Sequence, residues 1–353
     1  MVGVCPDRLE TTVNPRHLYL SLCAAGLFLA MPVMAADQPY ALVIHGGAGT
    51  LTRDAITDEV DAAIRADLNR SLDAGQAVLE AGGSSVDAVV AAVKTLEDSP
   101  YFNAGKGAVF THEGRNELDA SIMDGRTRSA GAVAGVRTVR NPIDLARAVM
   151  EQSPHVMLIG EGAERFARER GIAAAEPAYF RTEQRWQQLQ QALERERAQA
   201  SLPSSSYFGT VGAVALDRSG GLAAATSTGG MVNKRWGRVG DAPIIGAGTF
   251  ADAGCGVSAT GWGEYFIRLN VAHDICARMK YAKQPLAEAA DAVVLEDLPA
   301  LGGDGGVISM DANGGIRMPF NTRGMYRGWI TVEGERGVAI FADEADVDAR
   351  LSR

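Results

Sequence analysis

Apolar runs and amphipathic stretches alternate along most of the chain. Tyr40–His45 (YALVIH) is apolar at nearly every position, which predicts a strand buried on both faces. It leads into Gly46-Gly47-Ala48-Gly49, read as a tight turn. Helical spacing follows near Ile56–Glu80, stopping at Gly82-Gly83, and near Val86–Asp98, with Ser84 or Ser85 as N-cap. After the loop SPYFNAGKG (99–107) come strand-like pieces at Ala108–Thr111, Leu118–Met123 and Ala130–Val136. Asn141-Pro142 opens a helix to about Gln152, with Asn as cap and Pro in the first turn.

The pattern then changes. Thr182–Ala200 is polar and rich in Gln, Glu and Arg, and Ser201-Leu202-Pro203-Ser204-Ser205-Ser206 follows. This predicts a solvated helix within a flexible linker over about 174–209. The apolar run Thr210–Leu216 begins at once, making the sharpest boundary in the chain. Beyond it, Leu222–Ser227 and Pro243–Phe250 read as strands, and Glu264–Met279 and Pro285–Leu298 as helices. Short strands near Gly306–Met310, Gly315–Met318, Trp329–Val332 and Gly337–Phe341 close the chain. Strands, helices and strands thus recur on either side of the linker, which predicts an α/β fold with sheets packed together and helices outside.

Composition adds exclusions. The 353 residues are 46% hydrophobic and 22% charged with a net charge of -9 and no basic stripe, which argues against nucleic acid as a partner. The uncharged run 18–34 follows Arg16 and His17 and ends in small residues at Ala35-Ala36, the layout of a secretory signal. It lies at the lower length limit for a membrane span and contains Pro32, so export without a stable membrane anchor is expected, with a periplasmic destination. Asp7 and Glu10 do not suit a basic leader, which suggests that translation starts later, for example at Val13. Cys23 lacks the small preceding residue of a lipoprotein cut. A mature chain from Asp37 keeps Cys255 and Cys276, which form one disulfide or none.

Zinc-protease, paired C-x-x-C, P-loop and G-x-S-x-G patterns are absent from the sequence. The G-G-A-G stretch lacks the spacing of a dinucleotide loop and reads as a backbone turn beneath a site. Thr210 stands out by position. It follows Gly209, a flexible segment lies upstream, and a buried strand begins there. Cleavage between Gly209 and Thr210 would give one residue both a hydroxyl and a free α-amine, hence nucleophile and base together. Taken alone, it is more simply an ordinary strand threonine.

The segments G-T-V-G-A-V-A-L-D (209–217), T-S-T-G-G (226–230) and G-R-V-G-D (237–241) change that balance. So do H-G-G-A-G (45–49), F-N-A-G-x-G-A-V-F (102–110), E-L-D-A (117–120), S-A-G-A-V-A-G-V (129–136), L-G-G-x-G-G (301–306) and P-F-N-T-x-G-M-Y-R (319–327). In this order they resemble the isoaspartyl peptidase/L-asparaginase family, the plant-type asparaginases among the N-terminal-nucleophile hydrolases. The resemblance implies a four-layer αββα sandwich, self-cleavage into 37–209 and 210–353, and an (αβ)2 assembly. By position, Thr210 resembles the nucleophile and Thr228 the threonine that orients it. Thr260 and Gly261 resemble the oxyanion hole. Arg238 and Asp241 resemble the clamp on the substrate's α-carboxylate and α-ammonium, beside Gly261 and Gly263. Asn103 resembles the loop residue facing the nucleophile. Leu96, Glu97, Ser99, Phe102, Ala104 and Lys106 resemble a loop whose carbonyls hold a structural sodium ion, with no cofactor needed for the chemistry.

The implied reaction is hydrolysis of the side-chain amide of L-asparagine and of N-terminal β-aspartyl dipeptides through a threonyl ester. The pairing of one cation with one anion suits a substrate that carries a free carboxylate and a free amine. Trp262, between Gly261 and Gly263, and Trp236, beside the clamp, depart from the family pattern. Either is a packing residue or narrows the leaving-group side, so preference between the two substrates stays open. A glycosylasparaginase is the nearest alternative, although T-S-T-G-G fits the asparaginase branch better. A non-catalytic periplasmic protein that captures aspartyl compounds is the alternative of another class.

Overall fold

Every position from Ala41 to Gly49 is buried, and this run forms β1 in the computed structural model, which describes residues 39–49, 52–198 and 209–344. Leu42 and Ile44 enter one core cluster while Ala41 and Val43 enter another, so both faces of the strand are covered. The turn expected at Gly46–Gly49 is instead the second half of this strand. Its partner stays paired, the register slips between His45 and Gly47, and Gly47 takes φ of 114°, a conformation open to glycine.

Two helices follow, α1 (Asp58–Glu80) and α2 (Ser85–Glu97), whose first turns are capped by the hydroxyls of Thr57 and Ser84. Next come β2 (Leu118–Asp124), β3 (Ala130–Val136) and α3 (Pro142–Gln152). Ala108–Thr111 is not a strand; it makes only single bridges, from Phe110 to Asn116 and Thr111 to Lys234. Asn141 does not cap α3 with its side chain. The buried Glu97 carboxylate accepts the Ile143 N–H at 3.1 Å and serves that end.

β4 (Met157–Ile159) and α4 (Gly160–Glu169) follow, and two elements, α5 (Pro177–Phe180) and α6 (Glu183–Arg197), occupy much of the expected linker. Phe180, Leu189 and Ala192 are buried, and Trp186 packs edge-on against Phe110. The expected polar helix is present and largely exposed, and packing at these few positions holds it in place. The serine-rich remainder, 199–208, lies outside the described residues, as do residues 1–38, on which the expected export signal and its cleavage site fall.

The second half contains β5 (Val211–Leu216), β6 (Leu222–Thr228), β7 (Thr249–Ala251) and β8 (Cys255–Gly261). Only the last residues of the expected strand Pro243–Phe250 are extended; the rest forms turns around Gly246 and Gly248. The expected helix over 264–279 is two, α7 (Gly263–Leu269) and α8 (Val271–Ala282), broken where Asn270 adopts φ of 52°. Then α9 (Leu286–Asp291) passes through a π-helical segment, Ala292–Asp297, into α10 (Leu298–Ala300). The chain continues with β9 (Gly305–Asp311), β10 (Ile316–Arg317), β11 (Gly324–Ile330) and β12 (Arg336–Phe341).

The architecture is mixed α/β with two sheets. One has the order β12-β11-β1-β5-β6-β2-β3-β4, antiparallel except for β3 and β4, and the other the order β10-β9-β8-β7. Helices α1 to α3 share a core with one face of the large sheet. Residues of β1, β5 and β6 on its other face share a core with β8, β9, α8 and α9. Cys255 and Cys276 form a disulfide between β8 and α8, which answers the pairing question. Among the described residues no helix is long and apolar enough to cross a membrane.

Candidate active site

Thr210 stands one residue before β5, between the ends of β1 and β6, and is 6% exposed. Its hydroxyl donates to Thr228 Oγ1 at 3.2 Å, and Thr228 also accepts the Gly230 N–H at 3.0 Å. Its backbone N–H donates to Thr260 Oγ1 at 3.4 Å, an oxygen that also accepts from Ala48 N at 3.2 Å. Three strands from distant parts of the chain thus bring three threonine hydroxyls to one point. Gly209, Thr210, Thr228, Arg238, Asp241 and Gly261 line one cleft, together with Gly230, Met231 and Gly240.

Asn103 lies against this cleft without turning its amide to the nucleophile. Its Oδ1 accepts from Val109 N at 2.9 Å and its Nδ2 donates to Gly230 O at 2.7 Å. A Cβ on Gly209 would stand 3.0 Å from the Asn103 Cβ, so this side chain walls the Gly209–Thr210 junction.

The two charged residues differ in their surroundings. Arg238 makes a two-point ion pair with Glu264, Nε to Oε1 at 2.9 Å and Nη2 to Oε2 at 2.8 Å. Asp241 is buried, and its Oδ2 has no hydrogen-bond partner among the described residues. Burial pushes its carboxyl up to about 7, with nearby Arg238 opposing the shift. Gly263 separates the pair: a Cβ there would lie 2.8 Å from Arg238 Nη2 and 3.0 Å from Asp241 Oδ1. Gly261 is equally crowded, its missing Cβ falling 2.4 Å from the Phe266 ring. Trp262 packs edge-on against Tyr265, whereas Trp236 is 94% exposed with φ of 56°.

The loop after α2 curls tightly. Gly105 has φ of 49°, and a Cβ there would meet the Glu97 carbonyl oxygen at 2.3 Å; one on Gly107 would meet the Phe102 oxygen at 2.1 Å. The Glu97 and Phe102 carbonyl oxygens thus pack against glycine backbone where no side chain fits. Leu96 O and Ala104 O already accept from Ser99 N and Gly107 N. Lys106 directs its ammonium over the Tyr179 ring at 5.6 Å. The half-buried Arg185 of α6 braces the outside, donating to Gly107 O at 2.8 Å and Tyr101 O at 3.1 Å. The Glu97 side chain is turned away from the loop to Ser227, and burial pushes its carboxyl up to about 8.

Sequence reasoning missed Glu264, Arg185 and the role of His45, whose Nδ1 lies 2.9 Å from the Thr210 carbonyl oxygen. None belongs to a spacing that signals chemistry; each becomes visible through a partner far away in sequence. The position of His45 within H-G-G-A-G was the one available signal.

The sequence model of the asparaginase family matches residues 38–340. The chain is 50% identical over 314 residues to the isoaspartyl peptidase of Escherichia coli (strain K12), spanning 87% of this chain and 98% of that protein. It is 46% identical over 324 residues to a putative isoaspartyl peptidase/L-asparaginase of Dictyostelium discoideum, spanning 83% and 93%. To the isoaspartyl peptidase/L-asparaginase of Mus musculus it is 45% identical over 295 residues, spanning 83% and 88%.

Proposed function

This chain belongs to the asparaginase family, and we propose that it is a self-cleaving hydrolase of L-asparagine and N-terminal β-aspartyl dipeptides, with Thr210 as nucleophile. The observation that carries the reading is the setting of Thr210. Its nitrogen lies at the Thr260 hydroxyl and its oxygen at the Thr228 hydroxyl, in a cleft that also holds Arg238 and an unpaired oxygen of Asp241.

In the precursor, Thr210 Oγ1 attacks the Gly209 carbonyl carbon, the C–N bond breaks, and water hydrolyses the resulting ester. The products are 37–209 and 210–353 once the presequence is removed. The freed α-amine titrates near neutrality and can take the hydroxyl proton. With substrate bound, Thr210 Oγ1 attacks the side-chain carbonyl while Thr260 Oγ1 and the Gly261 N–H receive the developing oxyanion. A donor of that kind is worth about 2.7–4 kcal/mol of barrier. The α-amine returns the proton to the leaving ammonia or amino acid, and water cleaves the β-aspartyl ester. A buried carboxylate oxygen without a donor costs free energy, and a substrate ammonium at Asp241 relieves it. Arg238 keeps the Nη1 side of its fork for the α-carboxylate while Glu264 holds the other edge.

Several further features belong to this reading. The two cores flanking the large sheet support a four-layer αββα arrangement. Leu96, Glu97, Ser99, Phe102, Ala104 and Lys106 would hold a sodium ion through carbonyl oxygens, a donor set suited to a hard monovalent cation. The ion would stiffen the loop that carries Asn103. The protein is exported to the periplasm and assembles as (αβ)2.

The test is release of aspartate from L-asparagine, a β-aspartyl dipeptide and a glycoasparagine by the processed protein. Release from the first two supports the reading. Release from the glycoasparagine alone favours the glycosylasparaginase alternative, and release from none overturns both.

A further inference from the structure

A line of buried polar side chains runs beneath Thr210, and the reaction above makes no use of it. His45 Nδ1 lies 2.9 Å from the Thr210 carbonyl oxygen and Nε2 lies 2.9 Å from Ser258 Oγ. Ser258 Oγ is 2.7 Å from Thr226 Oγ1, which accepts from Thr249 Oγ1 at 2.5 Å. Ser121 Oγ lies 2.7 Å from Thr249 Oγ1 and 2.6 Å from the carbonyl oxygen of Ala242, the neighbour of Asp241. All five side chains are fully buried.

The direction of the protons follows from one end. A carbonyl oxygen only accepts, so His45 Nδ1 carries the hydrogen and Nε2 offers a lone pair. Ser258 must then donate to Nε2. Its single hydrogen is spent, so the 2.7 Å contact is filled by the Thr226 hydrogen, for which the Gly248 carbonyl oxygen at 3.1 Å competes, and Thr249 donates to Thr226. Burial pushes His45 down to about 3, so the ring is neutral throughout the neutral range and keeps one donor only. The link from His45 to Ser258 crosses β5 at Gly212. A Cβ there would fall 2.0 Å from Ser258 Oγ and 2.4 Å from His45 Nε2, so the crossing requires glycine.

We propose that His45 is a positioning residue for Thr210, and that the Ser258–Thr226–Thr249–Ser121 line ties it to the loop bearing Asp241. Self-cleavage turns Thr210 into a chain terminus, and a terminus loses the restraint of a preceding peptide. The hydrogen bond to its carbonyl fixes the direction in which the hydroxyl and amine point. The hydroxyl line holds that anchor in register with the residues that seat the substrate. This rests on Thr210 being the nucleophile.

The experiment compares full-length His45→Gln, His45→Asn and Thr226→Val with the wild type. Self-cleavage is followed by intact mass, and kcat and KM are measured on a β-aspartyl dipeptide. Glutamine loses the nitrogen at the Nδ1 position, whereas the asparagine amide keeps one there. His45→Gln is expected to lower kcat about tenfold or more, with KM within about twofold, and His45→Asn to restore most of that loss. Wild-type kcat in His45→Gln, a loss that His45→Asn does not restore, or kcat and KM falling together would overturn the proposal. Thr226→Val keeps the side-chain shape and decides the matter if His45→Gln does not fold. A kcat lowered about threefold at unchanged KM supports the line, and an unchanged kcat overturns it. Should the wild type hydrolyse no aspartyl compound, the functional reading fails separately. The positioning role is then decided by self-cleavage, slowed in His45→Gln and recovered in His45→Asn if it holds, and equal in all three if it does not.

Discussion

Arg238 and Glu264 illustrate how one residue can prepare another. The carboxylate takes the Nε and Nη2 edge of the guanidinium, and in the proposed reading the remaining edge meets the substrate carboxylate. Glu264 is partly exposed, so the pair contributes through orientation more than through stability. Replacing Glu264 by Gln is expected to raise KM up to about fivefold, about 1 kcal/mol, with little change in kcat. Steady-state kinetics check this: an unchanged KM would show that Glu264 does not orient Arg238 for substrate, and a lowered KM that it competes with substrate. Asp241 gives a pH signature. Its carboxyl is held up near 7 by burial, against the pull of Arg238, yet it must be ionised to receive an ammonium. We expect kcat/KM to fall as pH drops below about 7, and kcat to fall less, because bound ammonium keeps the carboxylate ionised. A raised folded value also means that the native state keeps a proton that the unfolded chain has lost. Asp241 therefore lowers stability as pH rises from near 4 to about 7, and Asp241→Asn should flatten that part of the stability profile. The motifs made Thr210, Arg238 and Asp241 legible in the sequence. Glu264 and His45 were not, because their meaning lies in contacts made across more than twenty and more than a hundred positions.

At the scale of elements, legibility followed burial. Runs with every position apolar, such as Ala41–Ile44 and Val211–Leu216, show themselves because both faces of the strand are covered. The strand Cys255–Gly261, which carries Ser258, Thr260 and Gly261, went unrecognised because its small residues give no periodic signal. The polar helix Glu183–Arg197 is legible as solvated because its exposed face outnumbers its buried positions, and that same composition hides the two, Leu189 and Ala192, that anchor it. The disulfide ties that overlooked strand to Val271–Ala282 across a sequence separation of 21. Closing a loop of this size stabilises by about 3 kcal/mol. A Cys255→Ala/Cys276→Ala variant should therefore melt about 5 °C or more below the wild type. Equal melting temperatures in a thermal denaturation experiment would mean that packing alone holds the two elements together. Disulfides persist in oxidising compartments, which agrees with the proposed export.

At the scale of the molecule, the mixed α/β fold followed from alternating runs, and family membership from motifs spread between residues 45 and 327. Sheet order did not follow from either. The pairing of β1 with β5 and β11 joins segments far apart in sequence, and local pattern carries no information on such partners. The pairing of β1 with β5, together with that of β5 with β6, sets His45, Thr210 and Thr228 side by side. The central claim is that the chain cuts itself before Thr210. Intact mass of the purified protein, beside a Thr210→Ala variant, tests it most directly. The account predicts two fragments divided between Gly209 and Thr210 in the wild type and one unbroken chain in the variant. A single stable chain in both, with no conversion over days, would contradict it and leave a protein that binds aspartyl compounds without cleaving them.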